Sequence, residues 1–351
     1  MVILAIDLGW SKSVFCRLDT CGGAVVFGTI ATDATDLRRL CTRRRPEQIV
    51  VEICPLAGPV YDLGRELGID VLVADTTQDA WRWKNVKRKT DRDDALKLAR
   101  LAALGQLNPV HIPQPRIRQW RQLLAERSTL VAEATRCKNR IRAVLRPRGL
   151  ALPSGKRGWS ATARQTLDAW ARPLADGELD EAWRGLLHLE LQRLDALRGL
   201  LAELDAKLDA VADDDGRVAL LRSIPGVGRR TAEVIVATLD DPQRFGSRRQ
   251  VAAYAGLIPR RYQSGAMDRS GRISKRGNTL LRQVLNQASW AAIRYDPHLR
   301  ALFMRVSDGG CQGRRKLAIV AVMHKLLVIA WAMLRDGRRY QPRSVPTIRA
   351  A

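Results

Sequence analysis

The run Val2–Leu8 is apolar at every position except Asp7. A stretch that short and that uniformly apolar fits a strand covered on both faces. A carboxylate inside it needs a cation, a metal ion or a proton to offset its lost hydration. The residues that follow extend the sheet. After Gly9, Val14, Cys16 and Leu18 alternate with Ser13, Phe15 and Arg17, Gly22-Gly23 signals a turn, and Ala24–Ile30 reads as a third strand. Two tight connections in a row predict an antiparallel meander. The pattern then predicts a helix over Asp33–Leu40, a strand over Gln48–Ile53, a helix over Pro59–Leu67, a strand over Asp70–Ala74 and a helix over Asp91–Leu104. Three antiparallel strands followed by α-β-α-β-α is the order of the RNase H fold.

Asn108–Pro115 carries three prolines and marks a boundary. Beyond it a long helix is predicted from Arg116 to Arg146, with Ile117, Trp120, Leu124, Val131, Ala134, Ile141 and Leu145 at intervals near 3.5 residues. Pro147–Gly158 interrupts it. A second long helix, Asp180–Val211, places Leu194, Leu197, Leu201, Leu204, Leu208 and Val211 in alternating steps of three and four. Segment 116–148 carries ten Arg/Lys against two Glu, and segment 178–215 eleven Asp/Glu against four Arg/Lys. An antiparallel helical hairpin would join those faces, within one chain or between two. From Gly216 to Tyr340 the chain reads as mostly helical and basic. The expected fold class is α/β plus all-α. The domains are an RNase H/RuvC-like domain over 1–112, a coiled-coil helical domain over 113–215, a mostly helical C-terminal domain with a helix-hairpin-helix-like element over 216–340, and a tail over 341–351.

Charge then selects the partner. Sixty Lys+Arg against 36 Asp+Glu leave a net charge of +24, and 49 of the basic residues are Arg. Arginine's planar fork suits bidentate phosphate contacts, and an excess this large repels itself unless a polyanion offsets it. A small-molecule enzyme working alone is disfavoured, and nucleic acid is the expected partner. The six cysteines show no CxxC pairing and no His at zinc-ligand spacing, so they read as reduced residues of a cytoplasmic protein. Met1–Leu8 is too short and too acidic for a signal peptide. Leu317–Leu334 is broken by His324 and Lys325, as in a buried helix rather than a membrane span.

Several groups of residues could carry chemistry. Asp7 sits inside the first, otherwise apolar strand, Glu52 follows Ile49-Val50-Val51, and Asp91 and Asp94 lie three apart on one helix face. In an RNase H-like sheet the first and fourth strands are adjacent and the last helix crosses them, so the four acids would converge. Hard oxygen ligands match Mg²⁺, and two such ions could clamp a phosphodiester in displacement. The bland alternative makes Asp91 and Asp94 first-turn helix charges and Glu52 a loop acid. Asp93 faces elsewhere on the helix. Directly before the pair, Arg82, Lys84, Lys87, Arg88, Lys89 and Arg92 interleave with Trp81 and Trp83, suited to phosphates and unpaired bases or simply to solvent.

Further along, Ile224-Pro225-Gly226-Val227-Gly228 lies between helices. It is similar to the hairpin of helix–hairpin–helix elements, with Gly226 and Gly228 leaving backbone N–H groups for a phosphate; a plain helical turn is the alternative. Finally, Arg260-Arg261-Tyr262-Gln263-Ser264-Gly265 and Gly271-Arg272-Ile273-Ser274-Lys275-Arg276-Gly277-Asn278 read as a basic loop with Ser264, Ser270 and Ser274 embedded. A serine hydroxyl there could attack phosphorus if a base or metal activated it, although loop serines are common.

Together these residues resemble the DEDD-type insertion-sequence transposases. The match rests on Ala5-Ile6-Asp7-Leu8-Gly9, on Glu52 after Val50-Val51, on Lys89-Thr90-Asp91-Arg92-Asp93-Asp94-Ala95, and on the stretch from Ile224-Pro225-Gly226 through Ser264-Gly265 to Lys316–Leu334. After Glu52 the chain departs from the family, reading Ile53-Cys54-Pro55 where small residues and glycine are common. The resemblance implies Asp7, Glu52, Asp91 and Asp94 as Mg²⁺ ligands and catalytic acids, and Ser264 as a nucleophile forming a 5′-phosphoserine, with Ser274 as the other serine in contention. It also implies donor and target DNA, a structured bridge RNA, and a homo-oligomer, dimer or tetramer, with no membrane partner. Lys84, Lys87, Arg88, Lys89, Gly226, Gly228, Arg260, Arg261, Lys275 and Arg276 are the expected nucleic-acid contacts. Three other readings stay open: a RuvC-like junction nuclease without a covalent step, a catalytically idle nucleic-acid-binding protein, and a sugar-kinase-like ATPase suggested by Asp7-Leu8-Gly9.

Overall fold

The computed structural model describes residues 1–75, 90–264 and 267–342. Its first strand, β1 (Val2–Asp7), pairs antiparallel with β2 (Lys12–Asp19), which pairs antiparallel with β3 (Val25–Ala31). Helix α1 (Ala34–Arg44) leads to β4 (Gln48–Glu52), α2 (Ala57–Glu66) to β5 (Asp70–Ala74), and α3 (Asp91–Ala103) closes the set. β4 runs parallel to both β1 and β5, giving the order β3-β2-β1-β4-β5, the expected RNase H arrangement. Strand alternation sorts the side chains. Ile3, Ala5, Cys16, Leu18 and Val50 face Ala95, Leu98 and Ala99 of α3. Leu4, Ile6, Ile49 and Val51 face Leu37, Leu40 and Cys41 of α1 and Ala57 and Val60 of α2.

The chain divides into two compact units, Met1–Pro115 and Arg116–Ala351. The second is built on α4 (Pro115–Leu145) and α6 (Ala182–Asp213), with α5 (Ala161–Trp170) between them. Arg116, Arg127 and Arg140 of α4 pair with Asp214, which caps α6, and with Asp205 and Glu190 within it, at 2.5, 2.6 and 2.8 Å. Numbers rise along one helix as they fall along the other, so the two lie antiparallel within one chain. The buried stripe of α4 departs from the expected seam. Val131 is exposed, and Leu130 and Cys137 are buried instead. A helix of 3.6 residues per turn drifts against a strict 3.5 repeat, and Leu124, Leu130, Ala134, Cys137 and Ile141 follow that drift.

α7 (Gly216–Leu221), α8 (Arg229–Leu239), α9 (Arg248–Tyr254), α10 (Thr279–Tyr295), α11 (Pro297–Ser307) and α12 (Arg315–Asp336) gather around a separate apolar core shared with the ends of α4 and α6. By length and composition α12 could cross a membrane, but Ala318, Val322, Leu326, Leu327 and Ala330 lie in that core. One expectation is corrected outright. The basic stretch read as a loop is an antiparallel ribbon of β6 (Pro259–Ser264) and β7 (Met267–Ile273), with an irregularity between Pro259 and Arg261. Its strands are Arg-rich and lack apolar alternation, the signal on which a strand reading depends.

Candidate active site

Asp7 is the last residue of β1, and the residue before it, Ile6, is in register with Val51 of β4. Glu52, the last residue of β4, is therefore its neighbour across a strand spacing of about 4.8 Å. Alternation places Asp7 with Ile3 and Ala5, and Glu52 with Val50, on the face that α3 covers. Both acids are half-buried rather than enclosed, because each terminates its strand at the sheet's carboxyl edge. That corrects the expectation of a carboxylate buried within a strand. Both are engaged by other groups, as is Asp94.

The start of α3 is shaped by its cap. The Thr90 hydroxyl accepts from the Asp93 backbone N–H at 3.3 Å, and the Asp93 carboxylate accepts from the Thr90 backbone N–H at 3.1 Å. This reciprocal box satisfies two N–H groups that the helix itself leaves open and commits Asp93 to structure. Asp94, one residue on, is 8% exposed, whereas Asp91 is exposed. Ala95, Leu98 and Ala99 seat the same helix on the sheet, so Asp94 is held against the face that carries Asp7 and Glu52, with Asp91 at its rim.

The donor chemistry of these four carboxylates fits a hard divalent cation such as Mg²⁺. Among the described residues no three His, Cys, Asp or Glu side chains are grouped closely enough to share an ion. Like charges disfavour such a group without a cation between them, so binding would require the side chains to draw inward.

Ser264 closes β6 and is in register with Met267 across the ribbon, while Ser270 pairs with Arg261 further down. Ser274 lies at the root instead. Its N–H donates to Ile258 O at 2.8 Å, its carbonyl accepts from Arg260 at 3.2 Å, and its buried hydroxyl finds no hydrogen-bond partner among the described residues. Two glycines make this root possible. At Gly256 (φ +70°) an added Cβ would meet Arg276 O at 1.9 Å, and at Gly277 (φ +87°) it would meet Tyr254 O at 2.0 Å. The Arg282 guanidinium then ties the crossing together, donating to Ala255 O, Arg276 O and Gly277 O at 3.0–3.2 Å. Sequence reasoning missed Arg282, since one arginine among 49 carries no local signal of three carbonyl partners.

The expected nucleic-acid contacts fall into three groups. Lys84, Lys87, Arg88 and Lys89 lie outside the described residues. Arg260, Lys275 and Arg276 are exposed around the ribbon's root, and Arg261 lies within β6. At the α7–α8 turn, Gly226 (φ +86°) serves packing, because a Cβ there would sit 2.5 Å from Ala292 N of α10. Gly228 is the exposed N-cap of α8. The next two residues face acids. Arg229 binds Asp209 and Asp213, and Arg230 binds Asp205, Asp209 and the fully buried Glu233. Burial outweighs the Arg230 partner and holds the Glu233 carboxyl above the usual range.

The sheet order and the acids at its carboxyl edge define an RNase H-type unit with a candidate phosphodiester site. Residues 4–147 match a family model described as a transposase, of the DEDD, IS110 kind, and residues 218–304 match the transposase IS116/IS110/IS902 family. A Sinorhizobium fredii chain carrying the transposase name y4rJ is 31% identical, over 96% of this chain and 92% of its own. The transposase for insertion sequence element IS1111A of Coxiella burnetii is 30% identical, over 97% of this chain and 91% of its own. The pilin gene-inverting protein of Moraxella lacunata is 33% identical over a shorter span, 36% of this chain and 39% of its own. The chain belongs to the IS110-type DEDD transposases, a family of enzymes that cut and rejoin DNA.

Proposed function

We propose that this transposase exchanges DNA strands through a serine nucleophile assisted by Mg²⁺. Asp7, Glu52, Asp91 and Asp94 would hold the ion, which when bound polarises the scissile phosphate and offsets charge on the leaving oxygen. The Ser264 hydroxyl loses its proton as its oxygen bonds to phosphorus. The bond to the 3′-oxygen breaks, and that oxygen takes up a proton. The resulting 5′-phosphoserine conserves the phosphodiester for rejoining when a second 3′-hydroxyl attacks. Acids and serine belong to different units of the chain, so either one copy or two could supply them. A dimer or tetramer would then couple cutting to the pairing of donor and target.

The observation supporting this reading is the pairing of Asp7 and Glu52 at adjacent strand ends, on the face beneath the helix that opens with Asp91 and Asp94. By family likeness a structured bridge RNA would select both DNA partners by base pairing. The protein would grip backbone and shape with exposed cations such as Arg260, Lys275 and Arg276, in the cytoplasm. The test compares Asp7→Asn with Ser264→Ala on paired donor and target DNA. Loss of cutting in the first, and loss of strand exchange together with the protein–DNA adduct in the second, is the expected result. Cutting that survives Ser264→Ala would favour hydrolysis by a junction nuclease.

A further inference from the structure

The turn that joins the first acid to the second strand carries an unusual side chain. Trp10 is 94% exposed, whereas among the other described tryptophans none exceeds the 39% of Trp290. The turn beneath it is firmly built. Asp7 is in register with Val14, Thr32 N–H donates to Ser11 O at 3.0 Å, and the Ser13 and Thr32 hydroxyls share a hydrogen bond of 2.7 Å. Gly9 permits its tight closure, since a Cβ there would lie 2.4 Å from Lys12 O. A large aromatic ring held out into water by a fixed turn has no role in the core. It stands three positions beyond Asp7, which limits their Cα atoms to about 11 Å apart, on the order of three stacked bases.

Immediately beyond Trp10 the chain enters a cavity of about 550 Å³ lined by Ser11, Lys12, Thr29, Asp36, Arg39 and Arg43. It opens on the α1 face of the sheet, where Phe15 and Leu40 form its floor, opposite the face that carries the acids. Asp36 pairs with Arg39 at 2.9 Å, and the three cations leave the rim net positive. A strand leaving the acids would pass over the turn and reach these cations next.

Resting on the proposed acid site, we infer that the β1–β2 turn guides an unpaired DNA strand away from the scissile phosphate: Trp10 stacks on one of its bases, and Lys12, Arg39 and Arg43 hold the phosphates that follow. Stacking on an aromatic face is tolerant of sequence and fits a single strand. The cations act through charge and so respond to salt.

The full-length protein is titrated with a single-stranded oligodeoxynucleotide carrying 2-aminopurine, and with a duplex and a single-stranded RNA of the same sequence. Trp10→Ala is expected to weaken single-stranded DNA binding roughly 5- to 100-fold and abolish the quenching of 2-aminopurine. Trp10→Phe restores most of both, and the unfolding midpoint is unchanged because the ring packs on nothing. Arg39→Ala with Arg43→Ala flattens the salt dependence. Unchanged DNA binding in Trp10→Ala, or a loss confined to RNA or duplex, overturns the inference. Asp7→Asn is assayed beside these variants for cutting. If it abolishes cutting while Trp10→Ala binds normally, only the strand guide fails; if it cuts normally, the acid site itself fails.

Discussion

The acid face and the serine ribbon are built by opposite means. Asp7 and Glu52 end strands whose central residues, Ile3–Ile6 and Ile49–Val51, are fully buried, in a sheet covered on both faces. Their positions follow from the packing of a whole unit. Ser264 closes a strand of a two-stranded ribbon, a structure only marginally stable alone, whose geometry depends on a crossing of two glycines and one arginine. The first region presents its carboxylates from the edge of a packed sheet. The second rests on local contacts at its root, and its chemistry should fail first when that root is disturbed.

The sharpest way to separate them removes one acid. Asp7→Asn keeps the shape of the side chain and its neighbours, yet should lower DNA cutting by at least about 100-fold in a single-turnover assay, with the unfolding transition nearly unchanged. A modest loss would mean that the acid face is structural. Next in size is Gly277→Ala. The new methyl meets Tyr254 O at 2.0 Å and φ is +87°, so the root must shift. Misplacement of a nucleophile by about 1 Å costs on the order of 100-fold. Strand exchange should fall accordingly, while duplex binding stays within a few-fold. Equal losses in both would show that the ribbon does not stand apart from the core.

Smaller effects refine the contrast. One guanidinium nitrogen, Nη1, contacts all three carbonyls and the other donates to the Thr279 hydroxyl, so Arg282→Lys keeps the charge but loses the second nitrogen and the planar geometry that holds both sets of contacts. We expect strand exchange to drop roughly 10-fold, in keeping with about 1.4 kcal/mol of lost alignment, without recovery at low salt. On the acid side, Thr90→Ala removes the α3 cap and should cost about 1 kcal/mol in urea unfolding, with a parallel weakening of Mg²⁺ binding measured by calorimetry. Acid pH gives the mildest test. Burial, with Arg248 and Lys325 nearby, holds the His324 imidazole below its ordinary value of 6.5. The unfolded chain therefore binds a proton before the folded one does. The associated stability is complete above about pH 6.5 and declines as pH falls below it. His324→Gln should flatten that decline, and a pH profile identical to the parent would contradict the assignment.

How far the sequence could be read follows the same division. The apolar runs Val2–Ile6 and Ile49–Val51 and the alternation of Val14, Cys16 and Leu18 announced the sheet, since burial and strand period act directly on residue type. Asp7 stood out because nothing else in its strand is polar. What escaped was set by tertiary contact. The ribbon has strands such as Pro259–Ser264 with no apolar face, and its root is fixed by Arg282, whose partners are backbone carbonyls that any residue would present. The stripe of α4 is ambiguous at Val131 for a related reason: Leu130 and Val131 are both apolar, and only the drift of the helix against its partner chooses between them. The glycines of the α7–α8 turn were visible, but the closeness of Gly226 to Ala292 was not.

In the proposed chemistry the hydroxyl of Ser264 bonds covalently to DNA under the control of the carboxylates. Trapping the reaction on a donor carrying a nick opposite the cleavage position, digesting the protein and locating the modified peptide by mass spectrometry tests it directly. The expected product is a 5′-phosphoryl nucleotide on Ser264, absent when Asp7 is replaced by Asn. An adduct on Ser274 or Ser270, or efficient cutting with no adduct at all, would contradict it.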